Sequence, residues 1–168
     1  MGALGKIFDI IPVILPLDLQ TARNGDYVSL KNAGGVSFVV HKGAGTAGDD
    51  PDFTVRQAQD VAGTAVKDLE VVTTIYKKQG TLSAVGTWTK VTQAAGAAYS
   101  ADATSAEEEA VYVIEIAADQ LDIDNGFDCV TLNVADVGTN AQLGSVLALL
   151  WGLRHQTAPE SLPSAIAD

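Results

Sequence analysis

A single cysteine, Cys129, stands among 168 residues, so neither an internal disulfide framework nor a cysteine-rich zinc site is available. Histidine is nearly as scarce, at His41 and His155 only. Charged residues make up 18% of the chain, below the usual quarter, and the bases are outnumbered. Ten Lys and Arg against 21 Asp and Glu give a net charge of −11. A field of that sign repels phosphate backbones and anionic headgroups, which argues against a nucleic-acid or membrane partner. No apolar run is long enough to span a bilayer. The stretch from Ile7 to Leu17 follows Lys6 but is broken by Asp9, Pro12 and Pro16, and no small-x-small cleavage site follows it. Gly2 lacks the Ser or Thr that myristoylation wants, because Lys6 occupies that position. The chain is expected to be soluble and unprocessed.

Hydrophobic residues reach 47%, and the mean hydropathy is +0.18. Disorder is excluded by that share. A chain of this length forms one domain and buries roughly 70% of its unfolded surface without staples. The surplus of apolar side chains over charges points to surface hidden by partners.

The periodicity is that of strands. Tyr27–Lys31, the break Asn32–Gly35 and Val36–Lys42 read as a hairpin. Phe53–Gln57, Leu69–Lys77, Thr87–Val91, Ala110–Ile116 and Phe127–Val134 follow, rich in β-branched and aromatic residues at alternate positions. Gly144–Trp151 is almost unbroken in its apolarity, suiting a fully buried strand or a short core helix. Gly, Asn, Asp and Ser mark breaks at 43–52, 80–86, 95–105, 122–126 and 136–141. Only 57–64, 104–109 and 117–121 suit helix. The expected fold is all-β: a single β-sandwich or barrel-like domain over 20–155 with extended arms at 1–19 and 156–168. Pro12 and Pro16 exclude a regular helix and a central strand, so residues 5–19 are an extended arm or an edge strand. The side chains of Ile7, Phe8, Ile10, Ile11, Val13, Ile14 and Leu15 are the candidate contacts to a partner or a neighbouring subunit, or else cover the chain's own sheet.

No constellation supports catalysis, a cofactor or a metal. Gly43-Ala44-Gly45-Thr46-Ala47-Gly48 matches the letters of a dinucleotide fingerprint, but Asp49, Asp50 and Asp52 follow in place of a helix N-terminus and would repel a pyrophosphate. Asp119, Asp122, Asp124, Asn125 and Asp128 offer hard oxygens. An EF-hand starting at Asp122 would need Gly and Glu where Phe127 and Asn133 stand, and an Asp-Asn-Gly turn explains the letters. His41 and His155 have no nucleophile signature beside them. Cys129 reads as a small buried group, Glu107–Glu109 as a solvated turn, and Trp88, Trp151 and the tyrosines as core or subunit contacts.

The stretch Lys31–Gly43 with Thr54–Ala58, the stretch Asp124–Val130 with Gly138–Gly144, and the tail Pro159–Ala165 resemble small tailed-bacteriophage proteins encoded beside the major capsid gene. The resemblance covers most of 24–168 and implies capsid decoration, or cement. Such a protein sits on the capsid exterior of the virion, after a stay in the host cytoplasm before assembly. It clamps the major capsid protein and self-associates, with a trimer favoured and a dimer possible. An arm of this kind can add a strand to an exposed capsid edge. The alternatives are a tail-tube or head–tail joining protein, or a β-sandwich binding carbohydrate or a host surface.

Overall fold

The computed structural model describes residues 2–46, 50–81, 84–101, 108–135 and 138–167. The expected all-β class is what the chain adopts: two antiparallel sheets packed face to face. The larger contains β1 (Phe8–Asp18), β12 (Leu143–Trp151), β3 (Gly35–Lys42), β10 (Glu109–Ala117) and β6 (Val72–Thr81), in that order. β8 (Thr89–Gly96) and β7 (Ala84–Val85) share the far side of β6. The smaller runs β2 (Val28–Ser29), β11 (Cys129–Val134), β4 (Asp52–Ala58) and β5 (Lys67–Asp68), with β9 (Ala98–Ser100) also on β4.

Alternation decides which side chains meet between the sheets. Val36, Phe38 and Val40 of β3 face inward with Tyr112, Ile114 and Ile116 of β10 and Val146, Ala148 and Leu150 of β12. From the smaller sheet come Val28, Phe53, Val55, Val130, Leu132 and Val134. Phe53, Tyr99 and Tyr112 join the layers at one end, with ring centroids 5.2–6.4 Å apart. Aromatic contacts of this kind add to the area they bury.

Several local expectations are corrected. Residues 27–31 and 36–42 are not a hairpin, since β2 and β3 lie in different sheets. Val28 and Leu30 both point into the core, and the chain crosses between layers over Ala33 and Gly34, whose N–H groups donate to Leu30 and to Trp151. Gly144–Trp151 takes the strand form of the two expected, pairing with β1 on one side and β3 on the other, but only its inward residues Val146, Ala148 and Leu150 are buried. Of the helix-compatible stretches, 57–64 is the end of β4 and a turn in which Thr64 N–H meets Asp60 Oδ1. Within 117–121 only a 3-10 turn forms, Ala118–Gln120. The stretch 104–109 falls largely outside the described residues, and Glu109 opens β10. The expected break at 95–105 contains β9, and that at 80–86 contains β7.

Candidate docking surface

β1 is the edge strand of the large sheet, paired with β12 from Phe8↔Trp151 to Asp18↔Leu143. Its register shifts between Pro12 and Ile14 and again between Ile14 and Leu17. These irregularities let Val13 and Ile14, neighbours in sequence, both turn inward. The seven apolar residues singled out in the sequence thus divide. Ile11, Val13 and Ile14 are buried in this chain's own core. Phe8 is half-buried. Ile7 and Leu15 are each 64% exposed and Ile10 43%. Leu143, which the sequence did not single out, joins them at 67%.

The terminal segments hold this rim in place. A tight turn over residues 3–8 displays Ile7, with Ile7 N–H donating to Ala3 and Gly5 N–H to Phe8. Gly5 has φ +77°, and a Cβ there would lie 2.4 Å from the Thr157 carbonyl oxygen. Thr157 N–H donates to Gly5 in return, and Lys6 Nζ reaches the Gln156 carbonyl. Residues 156–167 lie along the body, where Ala165 packs on the core and accepts the Ser29 N–H. At the other end of β1, Asp18 Oδ1 accepts the N–H groups of Gln20 and Gln142. Those bonds hold the Asp18 carboxyl below the usual carboxylate range, with Arg23 adding to the effect and burial opposing it.

The free edge of β1 is blunted against strand addition. Pro12 and Pro16 carry no N–H. Phe8 C=O accepts from Gly5, Val13 C=O from Asp26, and Ile10 N–H donates to Asp9 Oδ1. With these groups engaged, the edge offers a partner side chains and an interrupted main-chain ladder.

The candidates for chemistry are placed as follows. The Asp122 carboxylate takes the Lys67 ammonium and the Asn125 amide, and Gln57 Oε1 accepts the Asp122 N–H. The Lys67 and Asn125 bonds lower the Asp122 pKa. Gly126, at φ +82°, closes the turn. Among the described residues, no group of three or more His, Cys, Asp or Glu is placed to hold a metal. Cys129 is buried beside Asp128. His41 is exposed at the end of β3, and His155 lines a small hollow under the C-terminal tail. The Gly43–Gly48 motif and the Glu107–Glu109 run fall partly outside the described residues. Trp88 is exposed with Lys78 Nζ 5.8 Å from its ring centroid. Trp151 is half-buried.

Lys42 is the titratable group the sequence reading passed over. It has the inward parity of Val36, Phe38 and Val40 and is 1% exposed, at the foot of a cleft lined by Pro16, Leu17, His41, Glu109 and Leu143. Its Nζ donates to the carbonyls of Glu108 (2.7 Å) and Gly43 (3.1 Å). Desolvation lowers its pKa from 10.5 to about 8, with Glu108 opposing. The folded state therefore holds this proton more weakly than the unfolded chain does. Between about pH 8 and 10.5 the unfolded chain carries more protons, so stability rises with pH across that window. Relative to Lys42→Met, the wild type is expected to gain about 2 kcal/mol between pH 7 and 10.5, after allowance for solvent screening. Urea unfolding of both proteins at several pH values checks this, and parallel profiles would contradict it.

No helix among the described residues is long and apolar enough to cross a membrane. Comparison with models of protein families, with curated proteins and with solved structures finds no match.

Proposed function

We propose that this protein is a structural virion component, a capsid decoration protein that binds the outside of the major capsid shell and bridges neighbouring capsomers. The observation that carries the reading is the rim of Ile7, Leu15 and Leu143, apolar side chains displayed along the edge of the sandwich. The partner, the major capsid protein, is the one that the resemblance of Lys31–Gly43 and Asp124–Val130 to phage virion proteins implies. Each such side chain contributes roughly 1.5–3 kcal/mol when buried. Because β12 already orders β1, little of that is lost to immobilising the chain. A rim too small for tight single-site binding becomes effective when one molecule touches two capsomers, since the second contact is intramolecular. The net charge of −11 keeps the free protein soluble until it docks.

Cosedimentation of the purified protein with undecorated shells of the major capsid protein tests the reading. Saturable binding at a fixed number of copies per capsomer is expected. Absence from shells together with binding to tail tubes or connectors would transfer the protein to the joining role.

A further inference from the structure

We infer that the outward face of the large sheet is the surface on which a second copy of this chain packs, giving an isologous pair. The inference stands apart from the capsid reading and holds whichever partner the β1 rim meets.

The cross-strand registers place Pro12, Leu147, Val39, Val113 and Tyr76 side by side in one row across five strands of that face. Leu149 and Val111 flank the row on adjacent pleats. The opposite face of the same strands is the core, so β12 is apolar on both sides but for Ser145, and Val39, Val111 and Val113 extend its outward strip between the polar Ser37, His41, Glu109 and Glu115 of β3 and β10. A central strip of that kind is the composition of a covered sheet, whereas an antiparallel sheet with one wet face alternates apolar and polar. Yet this face is open within the chain. Ile10 on β1, His41 on β3, Glu115 on β10, Tyr76 on β6 and Trp88 beside β8 are all exposed, the last two at 37% and 55%. At one corner the Trp151 ring lies over Gly35, where a Cβ would come within 2.3 Å of the ring and 2.5 Å of the Ile116 carbonyl. The missing side chain makes room for the indole.

Size and charge identify the occupant. The strands β1, β12, β3, β10, β6 and β8, at about 4.8 Å spacing and about 8 residues each, present about 700 Å². A standard stable interface takes about 800 Å² from each partner. The face carries Lys78 and Lys90 against Glu109 and Glu115, with Glu115 tied to Ser37, whereas the chain as a whole carries −11. Here two like-charged copies can approach without net repulsion, and each brings both signs to the contact. Isologous pairing of one face with itself makes a two-fold dimer, in place of the threefold cluster that resemblance alone implies.

Sedimentation equilibrium of the full-length chain tests this. The wild type is expected to dimerise with a Kd of about 10 μM or tighter. Val113→Lys and, separately, Tyr76→Asp should each raise that Kd at least about 100-fold. Tyr76 is exposed, so its replacement leaves the fold intact, and unchanged far-ultraviolet circular dichroism verifies it. Ile123→Ser, an exposed position on the 3-10 turn Ile123–Asn125, should leave the dimer unchanged. A strict monomer at about 1 mM overturns the inference, as does a dimer indifferent to Tyr76→Asp. A monomer that still binds shells overturns it too, and the face then belongs to the shell. An intact dimer that ignores shells sinks the capsid reading alone.

Discussion

Removing residues 2–17 is expected to unfold the protein, not to release a dispensable arm. The deletion takes Ile11, Val13 and Ile14 out of the core and strips β12 of its partner along most of its length. Three buried side chains at roughly 1.5–3 kcal/mol each amount to about 5–9 kcal/mol, before the ladder bonds and the newly bared inner face of β12 are considered. Total stabilities of single domains are about 5–15 kcal/mol, so little would remain. Val146, Ala148 and Leu150 would then line an unprotected sheet edge, and aggregation should follow. Thermal unfolding followed by circular dichroism checks this. A cooperative transition within a few degrees of the wild type would show that β1 contributes no core.

The converse prediction concerns the outward residues of the same segment. Ile7→Ser combined with Leu15→Ser should leave the fold alone, since surface substitutions of this kind change stability by no more than about 0.5 kcal/mol each. Neither side chain belongs to the core. If the rim is the docking contact, losing two apolar anchors, each about two thirds exposed beforehand, removes about 2–4 kcal/mol of binding, an affinity loss of about 30-fold to 1,000-fold. Melting temperature and cosedimentation with undecorated shells, measured on one preparation, separate the two effects. Retained binding with a retained fold would move the contact to the C-terminal segment or to the domain body.

These two experiments differ because β1 serves two purposes, which the sequence offered only as alternatives. Seven apolar residues around two prolines read as one segment, either wholly adhesive or wholly covering its own sheet. Which of them turn inward is set by two register shifts against β12, and nothing in residues 7–17 alone specifies those. The strands themselves were legible wherever β-branched residues alternate, as in β10 and β11, because that period belongs to the strand itself. Sheet membership was not. Val28–Ser29 and Gly35–Lys42 are close in sequence with a glycine-bearing break between them, the pattern of a hairpin, yet the core demands of Leu30 and Ala33 send them to opposite layers. Lys42 was readable in principle. Inward parity from Val36 through Val40 extends to it, and its long apolar stem lets the ammonium reach two carbonyls at the core's margin. Leu143 was hidden because its exposure follows from standing at the start of β12, opposite Asp18.

The acidic surface was the plainest feature of the chain, and its arrangement is a property of the fold. Asp18 holds the end of β1 against the segment entering β12, and Asp122 holds the turn between β10 and β11. Both carboxyls titrate below their ordinary range, so what they contribute is present above it and lost as the pH falls through it.

The most direct test of the central claim is a cryo-electron microscopy map of capsid shells saturated with the purified protein. The account predicts sandwich-shaped density on the outer surface at every equivalent position between capsomers, with Ile7, Leu15 and Leu143 turned toward the shell. Bare shells, or density confined to the portal and tail, would contradict it.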